Sequence, residues 1–271
     1  MNETPLFFSE EQDRLFGVLH RPETDSNGKA FVFCHPFAEE KLWAHRVYVN
    51  FARELAHKGY AVLRFDYRGY GDSEGEFTHL TLAHHSDDIE RAIALLHEKV
   101  DNIKETGLLG LRLGASLAWL AAARTDKING PLVLWDPVLN GEEYVQEFLR
   151  SNLATQLAVY GEVRENREQL IEKLKRNELV NVDGYELSCD VYQGLSDMQL
   201  ADCSEGRNGS TLVVQIGRTE KPKRQPAGFT KLIGADLRCV VEEPFWREIK
   251  RFYSRADNLF AATLGWLEAQ G

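Results

Sequence analysis

Gly110 and Gly114 flank Arg112 in the run Thr106-Gly107-Leu108-Leu109-Gly110-Leu111-Arg112-Leu113-Gly114-Ala115-Ser116-Leu117-Ala118. The glycines are spaced as in G-x-S-x-G, where small neighbours let one strained residue at a strand-to-helix break lift its side chain above a sheet. The chemistry such a turn serves is attack on a carbonyl. Here the raised residue is an arginine, a cation with five donors and no acceptor, and it cannot attack as a serine does. Arg112 also stands at a helix N-terminus, where the dipole is already positive, so an anion must answer it. That anion is either internal, from Glu39, Glu40, Asp136 or Glu220, or a ligand carboxylate or phosphate clamped by the guanidinium fork and the helix amides. Direct catalysis by Arg112 as an electrophile is a third alternative.

Other residue types invite chemistry with less support. His35 ends an apolar run and is placed to act as a base or as a structural neighbour of the site. Ser116 lies one helical turn beyond Arg112, where packing or back-bonding to the helix is expected. His84-His85 with Asp87 and Asp88 suggests a metal, but adjacent helical side chains diverge, and a polar helix N-terminus accounts for them. Cys34 reads as an apolar strand residue without signs of reactivity.

The elements that must position these groups follow from periodicity. Pro5–Phe8 and Arg14–His20 predict a β-hairpin, Ala30–Cys34 and Ala61–Phe65 predict buried strands, and Pro131–Trp135 predicts the next strand. A helix carrying Val47, Phe51 and Leu55 ends at Gly59, and Leu82 to Val100 carries Ile89, Ile93 and Leu96 on one stripe. Strict alternation of strand and helix implies right-handed crossovers and a mostly parallel sheet with helices on both faces. Ligands of such sheets bind beyond the carboxyl ends of the strands, where His35, Asp66, Arg112 and Asp136 all fall.

From Gly141 to about Leu200 the strand rhythm gives way to three expected helices, Tyr144–Leu157, Glu165–Arg176 and Tyr185–Leu200. The chain therefore divides into a first core part at 1–139, a helical cap insertion at 140–205 and a second core part at 206–271. Cys203–Ser210 reads as a linker, Thr211–Ile216 and Leu237–Val241 as the last strands, and Asp257–Leu267 as a closing helix.

The formal charge of -10 argues against nucleic acid or an anionic membrane surface as partner. The basic patch Arg218, Lys221, Lys223 and Arg224 reads as a solvated loop. Four scattered cysteines signal neither a disulfide framework nor a metal site, and no cofactor motif is present. Without a leader-like N-terminus or a membrane-length apolar run, the expected compartment is the cytoplasm. A homodimer is compatible with the sequence.

Cys34-His35-Pro36-Phe37, Phe65-Asp66-Tyr67-Arg68-Gly69-Tyr70-Gly71-Asp72-Ser73-Glu74-Gly75 and the Gly110–Gly114 turn resemble the α/β-hydrolase superfamily. More narrowly, Pro36-Phe37-Ala38-Glu39-Glu40, Gly110-Leu111-Arg112-Leu113-Gly114, Gly184-Tyr185-Glu186-Leu187-Ser188 and Pro244-Phe245-Trp246 resemble the hydrolase-like proteins of exosortase A systems, of the second type. That resemblance implies an address in exopolysaccharide loci more firmly than a reaction. It places the nucleophile slot at Arg112, the acid at Glu220 and the oxyanion-hole amides at Phe37 and Leu113, with Glu39, Glu40, Asp136 and Trp246 around the pocket. The expected late histidine is missing, because His97 is the last one and Pro244-Phe245-Trp246 follows the final strand. Without nucleophile and base, only weak residual catalysis remains. The sequence thus favours a binding protein with a degenerate hydrolase pocket for an anionic or acyl ligand. The alternative is an unorthodox hydrolase or acyltransferase acting on an ester or thioester, with Arg112, Glu220 and His35 as its catalytic candidates.

Overall fold

The computed structural model describes residues 2–9, 13–22, 25–203, 209–247 and 253–270. Strands β1 (Glu3–Phe8) and β2 (Leu15–His20) pair antiparallel, with Phe8 opposite Leu15. Residues 10–12 between them, 23–24 of the following loop and 204–208 of the expected linker lie outside the described residues. The remaining sheet strands are β3 (Lys29–Cys34), β4 (Ala61–Phe65), β5 (Glu105–Leu111), β6 (Leu132–Trp135), β9 (Thr211–Gly217) and β10 (Asp236–Val241). Their order is β1-β2-β4-β3-β5-β6-β9-β10, antiparallel at β1, β2 and β4 and parallel from β4 onward.

Alternation along β3 builds the two faces. Ala30, Val32 and Cys34 enter one core with α2 (Leu82–Lys99) and α3 (Leu113–Ala122), while Phe31 and Phe33 enter the other with α1 (Glu39–His57) and α8 (Asp257–Ala269). On that second face the Phe51 ring lies 4.9 Å from Trp135 and 4.7 Å from Phe260. Each such pair adds roughly 0.5–1.5 kcal/mol beyond the area it buries.

Between β6 and β9 the chain leaves the sheet as α4 (Gly141–Tyr160), α5 (Arg167–Lys175), the hairpin β7 (Val180–Val182) and β8 (Tyr185–Leu187), and α6 (Cys189–Ser196). Asn140 caps α4 by accepting the Glu143 N–H at 2.9 Å. The hairpin corrects the helix expected from Tyr185 to Leu200. Asp183 and Gly184 adopt φ of 52° and 93°, the positive pair that an Asp-Gly turn supplies, so the chain folds back before α6 starts behind its Ser188 cap. A second correction falls in the basic patch. Residues 218–223 are an exposed loop, but Arg224 opens α7 (Arg224–Ile233), whose buried Phe229 packs against Trp119 at 5.7 Å.

Candidate functional site

Strand β5 delivers the chain to Arg112, which caps α3 with φ 53° and ψ -123°. A Cβ added at Gly110 would strike the Gly114 carbonyl, and one at Gly114 would strike the carbonyls of Cys34 and His35. Those contacts explain why both positions are glycine, and Arg112 alone bears the strain of the turn. Ala38, ahead of α1, repeats the same backbone angles at 48° and -131°. The two strained turns end β5 and the β3 loop at neighbouring strand ends.

The guanidinium of Arg112 is enclosed, with 11% of its side chain exposed. Its Nε lies 3.2 Å from Glu40 Oε1, its Nη1 3.3 Å from Asp136 Oδ2 and its Nη2 3.3 Å from Glu147 Oε2. The rings of Tyr144 and Trp246 flank it at 5.4 Å each. Tyr144 donates its hydroxyl to Glu40 Oε2 at 2.9 Å, Asp136 Oδ1 accepts from the Ile216 N–H at 3.2 Å, and Glu147 also meets Arg247. Burial opposes the charge of Arg112, but Glu40, Asp136, Tyr144 and Glu147 outweigh it, so its pKa is raised and it remains a cation. Burial also lifts the Glu40 carboxyl above its ordinary range, although Arg112 and Tyr144 pull it down.

The other candidates fall in different places. His35 is buried, with Nδ1 2.7 Å from the Pro36 carbonyl and Nε2 3.3 Å from the Tyr67 N–H. Those partners fix the Nδ1–H tautomer and occupy the nitrogen a base would use. Burial, with Lys41 nearby, holds its pKa well below the ordinary value, and the rings of Tyr67 and Tyr70 pack edge-to-face with it at centroid separations of 4.5 and 4.9 Å. Glu220 is exposed in the turn after β9 and is not a partner of Arg112. Glu39 turns to the cap side, where burial and then Asp183 raise its pKa. Phe37 and Leu113 are buried, the Phe37 ring packing 5.4 Å from Phe148. Asp66 pairs with Lys41 at 2.8 Å.

Ser116 donates to the Val138 carbonyl at 2.7 Å inside the core. His85 is spent on the Thr81 carbonyl, and Asp88 grips Arg68. Among the described residues no group of His, Cys, Asp and Glu could hold a metal ion, and no helix is long and apolar enough to cross a membrane.

Above the caged arginine lies a cleft of about 1370 Å³ bounded by the start of α1, α4, α5, the β7–β8 hairpin and Trp246-Arg247. Glu40, Tyr144, Glu147 and Trp246 form part of its wall, whereas Arg112 does not reach its surface. Sequence reasoning missed Glu147, Tyr144 and Arg247. Tyr144, Glu147 and Phe148 share one face of α4 at helical spacing, a signal that becomes legible only once that face is set against the strand ends.

Residues 26–186, more than half of the chain, match the family model of serine aminopeptidase, S33. The chain belongs to that family. Solved structures share its α/β-hydrolase fold with esterase and peptidase neighbours. Est1E from Butyrivibrio proteoclasticus with ferulic acid bound superposes with a TM-score of 0.68 at 18% identity, covering 98% of both chains. Proline iminopeptidase of Mycobacterium smegmatis superposes at 0.63 with 15% identity, again over 98% of each chain. At such identities the serine aminopeptidase S33 match and these structures establish the fold and leave the reaction open. A curated relative, an uncharacterized 31.7 kDa protein of the traX-finO intergenic region of Escherichia coli, is 32% identical over 110 residues. That alignment spans 40% of this chain and 37% of the relative.

Proposed function

We propose that this member of the serine aminopeptidase S33 family is a catalytically silent hydrolase-fold protein that binds a small molecule in its cap cleft. The observation that carries the reading is the residue at the nucleophile turn and its company. Arg112 has no acceptor to attack with, and Glu40, Asp136 and Glu147 already satisfy its guanidinium. No histidine follows His97 to serve as base, and His35 has both ring nitrogens engaged. Loss of nucleophile and base together leaves a hydrolase scaffold many orders of magnitude below a working triad.

An anionic or acyl ligand remains the class the turn and its resemblance favour, with the Phe37 and Leu113 amides as carbonyl donors. The guanidinium itself does not hold that ligand, because Glu40, Asp136 and Glu147 already occupy it. The resemblance to exosortase-associated proteins supports a role in exopolysaccharide or cell-surface metabolism, and the scattered free cysteines support a reducing compartment such as the cytoplasm. The test is hydrolysis of a panel of activated short-chain and medium-chain esters and thioesters, with Arg112→Ala alongside. The reading expects no turnover by either protein. Turnover that survives exhaustive purification and disappears on substitution of His35 or Glu220 would replace it with the unorthodox hydrolase or acyltransferase.

A further inference from the structure

The two edges of the eight-stranded sheet are built differently. At one edge Arg21 donates its N–H to the Asn2 carbonyl, so in the β1–β2 register Glu3, Pro5 and Phe7 turn their backbone groups to the open side. Pro5 has no N–H to offer there, and a proline on a free edge discourages a further strand. At the other edge Glu242 donates its N–H to the Gly217 carbonyl. In the parallel β9–β10 register the even-numbered residues of β10 therefore face β9, and Leu237, Cys239 and Val241 turn their N–H and C=O groups outward. No strand pairs with that side of β10 among the described residues. The strand carries no proline, glycine or lysine to guard it. Val241 is 43% exposed, and Leu237 and Cys239 are half-buried.

An open row of N–H and C=O groups is a template for another strand, and this row is complementary to itself. Laid antiparallel against a second copy about a two-fold axis at Cys239, Cys239 faces Cys239 and Leu237 faces Val241 on both sides of the axis. All three outward residues of each copy then fall in hydrogen-bonded pairs. The Val241 carbonyl already accepts from Asn258 Nδ2 at 2.8 Å, and a carbonyl oxygen has two lone pairs, so both bonds can coexist. The side chains of the outward residues share the face on which Leu237 meets the first core, and all three are apolar.

The opposite face, where Asp236 accepts from Trp266 Nε1 at 2.7 Å, is charged. There Asp236 comes opposite Glu242 of the second copy. Arg238, exposed and without a partner in its own chain among the described residues, stands beside that Asp236 and diagonal to that Glu242, within reach of a long side chain. Neighbouring registers fit worse. Centring on Arg238 sets two guanidinium groups opposite each other, and centring on Val240 sets Leu237 against Glu243, beyond the end of the strand.

We propose that the free edge of β10 is the contact of a two-fold homodimer, in which two eight-stranded sheets join edge to edge with Cys239 on the axis. The full chain is sedimented from about 1 to 100 µM, the range in which an interface of modest affinity associates. A dimer is expected, weakened at least tenfold by Val241→Lys and by Cys239→Pro. Neither substitution removes a backbone group that β10 gives to β9, and circular dichroism of the dilute proteins checks that both variants fold.

Oxidation with diamide reads the register, because opposed Cα atoms in such a pair lie about 5.5 Å apart, within disulfide reach. Cys239 should link to Cys239 of the second copy. In a Cys239→Ser background, Leu237→Cys and Val241→Cys should link when mixed, and neither alone. Peptide mapping separates these links from any at Cys189 or Cys203. A monomer at every concentration would overturn the proposal and leave the edge to a strand of another protein. A dimer indifferent to both substitutions, links confined to Cys189 and Cys203, or a link formed by Leu237→Cys alone would also overturn it.

Discussion

The strand-end turn and the cap cleft lie on either side of one wall, and they differ in how completely their polar groups are answered. At the turn every arm of the Arg112 guanidinium meets a carboxylate, and two aromatic rings close the sides. Among the residues lining the cleft, a buried oxygen of Asp183 and the buried indole N–H of Trp246 meet no partner among the described residues. On the reading proposed above, the turn where the fold ordinarily does chemistry is filled from within, unlike the wall beside it. Position on a fold alone does not assign function, and polar groups left unanswered are the better guide to a site.

The comparison breaks most sharply at Arg112. Arg112→Met leaves Glu40, Asp136 and Glu147 facing one another without a cation, and urea unfolding should show a loss of about 3–5 kcal/mol. Arg150→Met on the cleft rim, where the arginine is exposed, should stay within about 0.5 kcal/mol. Equal losses at both positions would dissolve the distinction.

Acid sharpens it by separating the cage from the core around it. Burial holds His20 and His85 at pKa about 4 against 6.5 in the unfolded chain. The native state therefore binds fewer protons than the unfolded state between these values. Stability present above pH 6.5 is lost as pH falls towards 4, by about 3 kcal/mol for each histidine. Glu40 acts in the opposite sense, because its raised native pKa lets the folded state take up a proton first. Unfolding measured from pH 7 to 4.5 should fall steeply, and His85→Asn should flatten the slope. A smaller effect tests the hairpin that carries Asp183. Gly184 has φ 93° with nothing within 4 Å of an added Cβ, so Gly184→Ala should cost about 1 kcal/mol through backbone strain alone.

Much of the turn was legible in the sequence because its constraints are local. The Gly110–Gly114 spacing locates Arg112, and of the internal anions that could answer it the structure brings up Glu40, from the first turn of α1, and Asp136, from a strand end. Glu220 was placed by analogy to a chain position, and the structure leaves it exposed in the loop before α7, away from the guanidinium. Glu147 went unread because its contact joins residues 35 apart through the placement of an inserted helix. The β7–β8 hairpin was missed for a local reason: the Asp183-Gly184 pair is a turn signal, outweighed by the helical pattern on either side. The cleft itself has no signature in the chain, because its wall is assembled from α1, α4, α5, the hairpin and Trp246.

The central claim is that Arg112 is answered from within, and the side-chain Nε–H resonance of Arg112 reads this directly. Its assignment follows from its disappearance in Arg112→Lys. The account predicts an Nε–H protected from solvent exchange and unmoved by added acetate or phosphate. Rapid exchange, or a saturable shift on adding either anion, would show an open guanidinium awaiting a ligand and would contradict it.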